Sequence, residues 1–176
     1  MAGHSKWAQI KRKKETTDAK KSQVFSKFAK LIASEAKKAK GDRSAPGLRL
    51  AIERAKAMNM PNDNIDRAIE KGKGDGGTAM DEVLYEAYGP GGVAVLMVGL
   101  TDNRNRTAQE IKHLLSKNNL SLAAPGAASW AFTKTAEGYT PQTTLDLSDT
   151  DLAALETVVT ALEEHDDVQE VFTNAA

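Results

Sequence analysis

Along the first third of the chain the apolar residues recur with a helical period. Between Ala19 and Lys40, Val24, Phe25, Phe28, Leu31, Ile32 and Ala39 take the i, i+4 and i+7 positions of one helix face, and Gly41 stands where a C-terminal stop belongs. At ~100° per residue, Lys27, Lys30, Lys37 and Lys38 gather on a separate arc, largely opposite the apolar one. The pattern predicts one packed face and one basic stripe. A second helix is expected from Pro46, a good first-turn residue, burying Leu48, Ala51, Ile52, Ala55 and Met58 and closing at Pro61. A third has Asn62 as its cap, Ile65, Ala68 and Ile69 facing inward, and Gly72 as its terminator. Residues 1–74 therefore predict a three-helix domain preceded by an N-terminal arm.

Past the stretch "GKGDGGTAM" the period changes, and residues 75–80 are the expected linker. "EVLYEAY" and "VAVLMVGL", joined through "GPGG", predict a hairpin of strands near 83–88 and 93–100, the second apolar on both faces and hence central. A helix from Asn103 to Asn118 buries Ala108, Ile111, Leu114 and Leu115, and "AASWAFTK" is the expected third strand. After a polar loop, "SDTD" opens a last helix with Ser148 as cap and Asp149 and Asp151 at the positive end of the dipole. That helix buries Leu152, Leu155, Val159 and Leu162, and "DVQEVFT" supplies a fourth strand. Residues 81–176 thus predict a ferredoxin-like ββαβαβ domain with an antiparallel sheet, and the whole chain an α+β protein.

Composition narrows the classes. An apolar share of 40% and a charged share of 27% over 176 residues are ordinary for a folded globular chain. With no cysteine there is no disulfide, zinc–thiolate site or thiol nucleophile, and a cytoplasmic location is expected. No window approaches the ~18 apolar residues of a membrane span, so no membrane partner is expected. The formal net charge of zero hides an asymmetry: residues 1–74 carry 19 Lys+Arg against 8 Asp+Glu, residues 75–176 carry 5 against 16. Such a split points to nucleic acid or another polyanion on the basic half. The alternative is two domains that attract one another.

Candidate chemistry is sparse. His4, His113 and His165 lie far apart and no compact metal-ligand spacing occurs; "EEHDD" at 163–167 can be read as a cation site, but carboxylates in a helix-to-strand turn read better as a solvated surface. Neither a metal nor an organic cofactor is expected. "YGPGG" lacks the lysine and helix start of a phosphate cradle and reads as a tight turn. "TDNRNRT" at 101–107 is more informative, because Arg104 and Arg106 oppose the positive end of a helix dipole and so ask for an anionic partner. Asn103, Arg104 and Arg106 together can build a phosphate or carboxylate site; alternatively Asp102 caps the helix and pairs with Arg106 across one turn. At the front, Lys6, Lys11, Arg12, Lys13 and Lys14 surround Trp7, and Lys20 and Lys21 continue the charge into the helix. Trp7 can stack on a base while the lysines contact phosphates, or it can be tucked into the helical core.

The stretches "MAGHSKWAQIKRKKETTDAKK", "NMPNDNIDRAIEKG", "YEAYGPGG" and "TDNRNRT" resemble the signature stretches of the YebC family, in order, from Met1 to about Lys134. "LEEHDDVQEVFTN" is similar to the family's closing helix and strand. Familiar members carry a third domain after the strand that matches "WAFTK"; here only "TAEGYTPQTTLDLSD" spans that gap, near 135–147, and the chain resembles a member without it. The resemblance implies a cytoplasmic, non-enzymatic factor that binds nucleic acid, its basic first domain matching Lys6 to Lys38 and its arginine-bearing helix start matching Asn103, Arg104 and Arg106. Bacterial members are described as transcriptional regulators and mitochondrial relatives as translational activators. The residues lean to rRNA or the ribosome over DNA, since no helix-turn-helix with base-reading side chains is evident. A DNA-binding transcriptional regulator is the alternative, and a small-molecule sensor gripping an anion through the two arginines is a third. A monomer is the default expectation.

Overall fold

The structure is a computed structural model whose described residues are 5–14, 18–74 and 80–176. The chain forms two compact units, and their division does not follow the charge boundary. One unit contains α2 (Asp18–Lys38), α3 (Pro46–Ala57) and α4 (Asn62–Lys73); α1 (Lys6–Lys14) belongs with everything from Asp81 onward. The second unit boundary falls at Asp81. The N-terminal arm, however, does not join the three-helix unit. Its tryptophan decides this: Trp7 is 7% exposed in a core formed with Val95, Met97, Leu155 and Val171, and Ile10 packs beside it. Burying an aromatic of that size outweighs the pull of a few solvated charges. Ser5 accepts the Ala8 N–H at 3.0 Å as the cap of α1, and the Trp7 N–H reaches the Ala176 carbonyl at 3.4 Å.

In the helical unit, Ile32, Leu48, Ile65 and Ile69 are essentially fully buried and form the core expected from the spacing. Two details differ. Gly72 does not end its helix. α4 continues to Lys73, and a Cβ at Gly72 would lie 2.3 Å from the Ala33 carbonyl oxygen, so the glycine is there to let α2 and α4 approach. Met58 is 42% exposed rather than buried, because α3 ends at Ala57 and Asn59 turns the chain back with φ 63°, delivering Met60 to the core instead. Pro61, not Asn62, occupies the cap position of α4.

The other unit runs β1 (Asp81–Tyr88), β2 (Ala94–Thr101), α5 (Arg104–Lys117), β3 (Leu122–Ala123), β4 (Phe132–Thr135), β5 (Gly138–Pro141), α6 (Asp149–Glu164) and β6 (Val168–Thr173). Its antiparallel sheet has the order β3-β1-β2-β6, and the apolar β2 is central as its sequence demands. The α+β class with an antiparallel sheet stands. A strand does form at the end of "AASWAFTK", but it does not join the main sheet. Pro125 and Gly126 turn the chain away after a two-residue β3, and Phe132–Thr135 pairs in a separate hairpin with Gly138–Pro141, which lies in the stretch read as polar loop. α1, α5 and α6 cover one sheet face over Val95 and Met97. On the other face, Ala94 and Leu96 pack with Ala128, Ala131 and Phe132. Among the described residues no helix is long and apolar enough to cross a membrane.

Candidate nucleic-acid interface

Residues 18–74 carry 14 Lys+Arg against 7 Asp+Glu, so the helical unit is basic by itself. Along α2, Lys20, Lys27 and Lys38 recur on one line, with Lys30 and Lys37 beside it and Lys21 further round. Lys21, Lys37 and Lys38 are exposed, while Lys20, Lys27 and Lys30 lie half-buried along the helix with their stems on its surface. Lys20 and Lys38 stand 18 residues apart, about 27 Å of helix at 1.5 Å per residue. Some of the unit's charge is used internally: Lys38 pairs with Glu35 at 3.0 Å, Arg43 with Asp66 at 2.7 Å and Lys73 with Glu70 at 3.2 Å. The last two are exposed on both sides, and a polyanion can exchange them at little cost, whereas Glu35 is half-buried. Arg54 lies over the Phe28 ring at 5.9 Å.

The N-terminal candidates sit elsewhere. Trp7 is in the core of the α+β unit and cannot stack on a base. Lys6 pairs with Asp149 at 3.1 Å and Lys11 donates to the Val171 carbonyl at 3.3 Å, so both cations tie α1 to the acidic unit. Arg12 and Lys13 are exposed on α1; the side chain of Lys14 and all of His4 lie outside the described residues.

At the start of α5 the structure supplies the anions that two arginines required. Asn103, rather than Asp102, caps the helix, its side chain accepting the Arg106 N–H at 3.1 Å. Arg106 reaches Asp102 and Asp167, both at 2.9 Å, and these hydrogen bonds, Asp167 first, push its pKa above the ordinary arginine value. Arg104 lies 3.3 Å from Asp81 and donates to the Glu82 carbonyl at 3.4 Å. The carboxylate of Asp167, 7% exposed, also accepts from Thr107 at 2.7 Å. Its N–H donates to His165 Nδ1 at 3.1 Å, which leaves the Nε2 proton directed at Glu110, 2.6 Å away. Glu110, His165 and Asp167 thus bring three ligand-type atoms within 4.8 Å of one another, although residues 110 and 165 are far apart in sequence. Asp167 is already taken by Arg106 and Thr107, so the group is a hydrogen-bonded lock between α5 and the α6–β6 turn. Only the fold assembles it. His165 and Asp167 stand together in "EEHDD", read from sequence as a solvated turn, but nothing in the spacing brings Glu110 to them.

Residues 5–75 match the family model described as the TACO1/YebC protein N-terminal domain, and residues 80–137 match the model for the TACO1/YebC second and third domain. The chain belongs to the TACO1/YebC family. A relative from Caldanaerobacter subterraneus, named probable transcriptional regulatory protein TTE1135, is 53% identical over 76% of this chain and 56% of its own length. One from Petrotoga mobilis, named probable transcriptional regulatory protein, is 46% identical over 98% of this chain and 70% of its own. The chain thus spans a little over half the length of the first of these TACO1/YebC relatives. A crystal structure of the conserved hypothetical protein Aq1575 from Aquifex aeolicus superposes with a TM-score of 0.77 at 29% identity, over 90% of this chain and 91% of that one.

One further construction lies within the stretch shared with the TACO1/YebC second-and-third-domain model. Glu86, 5% exposed on β1, accepts backbone N–H groups from Gly126 at 2.6 Å, Ala128 at 3.0 Å and Ser129 at 2.7 Å. Burial pulls this carboxyl toward protonation, but the hydrogen bonds prevail and hold its pKa below the ordinary glutamate value. The loop so fixed presents Trp130, 61% exposed, whose Nε1 donates to the Tyr88 hydroxyl at 2.9 Å. Tyr88 in turn donates to the Ala127 carbonyl. A glutamate in a strand between Tyr85 and Ala87 gives no hint of this in the sequence.

Proposed function

We propose that this chain is a nucleic-acid-binding regulator of gene expression that acts by docking rather than by catalysis, and that its target is structured RNA, the ribosome foremost. The basic row of α2, from Lys20 to Lys38, carries the reading: it is a phosphate-binding surface on a unit with twice as many cations as carboxylates. Backbone contacts of this kind suit a structured RNA, which proteins recognise through shape and phosphates. Arg104 and Arg106 are assigned to holding α5 against its own carboxylates rather than to a second anionic site. The protein works in the cytoplasm as a monomer and needs no cofactor.

Sedimentation of the full chain through sucrose gradients, at low and physiological salt and with and without nuclease, tests the reading. Comigration with ribosomes at physiological salt is the expected result. Replacing Lys20, Lys21, Lys27 and Lys30 together by glutamine should then weaken binding and flatten its dependence on salt by about 0.7 to 0.9 log units per lost phosphate contact. An unchanged affinity and slope would overturn the docking surface. The second reading, a DNA-binding transcriptional regulator, is favoured by the names of the relatives and requires one promoter fragment to outcompete bulk DNA by at least ~10³ at physiological salt.

A further inference from the structure

The sheet face beside the β4–β5 hairpin is left partly open, and three large apolar side chains show there or beside it: Trp130, Tyr88 and Leu84, at 61%, 39% and 40% exposure. Leu84 and Tyr88 are four residues apart on β1 and so share one face of the strand. Trp130 is bonded to Tyr88. An exposed tryptophan on a mobile loop would mean little. Here the loop is fixed by the three N–H bonds to the buried Glu86, and both polar edges are satisfied: the indole N–H by Tyr88, the phenol by Ala127. What is left to offer is the π-face of the indole.

The charge around it names the partner. Residues 81–176 carry 5 Lys+Arg against 15 Asp+Glu. Val98 pairs with both Leu84 and Glu170, which sets Glu170 in the same cross-strand row as Leu84, and Glu82 shares their face two residues along β1. A nucleic acid would meet the wrong sign there. Leu84's row and Glu82 lie four and six residues from Tyr88, about 13 to 20 Å along the strand. An arginine-rich segment can therefore stack one guanidinium on the indole while its further arginines meet the acids. We infer that Trp130, with Tyr88 and Leu84, is a docking shelf for an arginine-rich polypeptide segment. This inference stands apart from the nucleic-acid reading, which concerns the other unit, and either can fail alone. Together they describe a chain suited to a ribonucleoprotein, one unit on the nucleic acid and the other on a basic protein that accompanies it.

The test uses the full chain at ~150 mM salt, with three probes: a decapeptide alternating arginine and glycine, a decapeptide of serine and glycine, and a ten-nucleotide oligouridylate. Calorimetry gives the affinities, and tryptophan emission reports the shelf, since the only other tryptophan, Trp7, is buried. The arginine peptide should bind and shift the emission, and the uncharged peptide should not. Trp130→Ala should weaken arginine-peptide binding about five-fold or more, and Trp130→Phe, which keeps a π-face, should recover most of it. Glu82→Gln with Glu170→Gln should weaken it as well. Equal binding by Trp130→Ala would mean diffuse attraction to an acidic unit and would overturn the shelf. So would oligouridylate binding that Trp130→Ala abolishes, because the site would then stack bases. Circular dichroism of Trp130→Ala checks that the fold is intact.

Discussion

Replacing Glu86 by glutamine removes one charge and almost no volume, and the structure says what that should cost. The carboxylate serves three backbone donors, two of them, Ala128 and Ser129, through the same oxygen. A glutamine oxygen can keep those two as neutral hydrogen bonds. Its NH2 group must then face the Gly126 N–H, donor against donor, where the carboxylate now accepts at 2.6 Å. Charge-assisted bonds contribute about 1.5 to 3 kcal/mol and neutral ones about 0.5 to 1.5, so one lost bond and two weakened ones amount to about 3.5 to 6 kcal/mol. Urea unfolding followed by circular dichroism measures the loss, and Trp130 emission reports the loop locally. The pH dependence has a definite sign. A carboxyl whose folded pKa is depressed contributes stability above its ordinary pKa of ~4.3 and loses it as pH falls through the lower, folded value. Wild-type emission should therefore hold steady at pH 5 and change only below about pH 4, and Glu86→Gln should lack that acid transition. If Glu86→Gln unfolds within ~0.5 kcal/mol of wild type and keeps the transition, the carboxylate is not what holds the loop.

Gly72→Ala gains about 1 kcal/mol of helix propensity but drives a methyl to 2.3 Å from the Ala33 carbonyl; overpacking of this kind costs about 1 to 3 kcal/mol, so the helical unit should melt at a lower temperature in calorimetry. Trp7→Ala should destabilise the α+β unit, not the helical one, by about 3 to 5 kcal/mol in urea, with loss of near-ultraviolet dichroism. Asp167→Asn should lower the urea midpoint by the equivalent of about 1 to 3 kcal/mol, since Thr107 and Arg106 lose a charged acceptor, and leave nucleic-acid affinity unchanged.

Much of the fold could be read along the chain because helix and strand periods are local. Ser148 caps α6 as expected, the buried residues of α6 include all four that were named, and β2 is central because it is apolar on both faces. What failed was non-local. Gly72 has the look of a helix stop, and nothing near it in sequence tells that Ala33 lies against it. Trp7 stands among cations, and charge counting assigned it to the basic half, whereas its burial depends on Leu155 and Val171, far along the chain. The candidate site divides in the same way. The basic row of α2 follows from periodicity alone. The partners of Arg106 do not: Asp102 is one helical turn away and was foreseen, while Asp167 reaches it only through the α6–β6 turn.

The placement of α1 makes the helical unit an insertion. The chain begins one folded body, leaves it to build a second, and returns to finish the first. A dissection that cuts at the glycine-rich stretch to separate a basic half from an acidic half would therefore yield two damaged pieces. The C-terminal fragment would lack Trp7 and expose the pocket it fills, and the N-terminal fragment would carry a stray amphipathic helix without its partner. Fragment experiments on this architecture need a different cut, taking residues 18–74 out as one piece and rejoining α1 to β1 with a short linker. Loss of function after the simpler truncation would report a broken core and say nothing about which unit binds what.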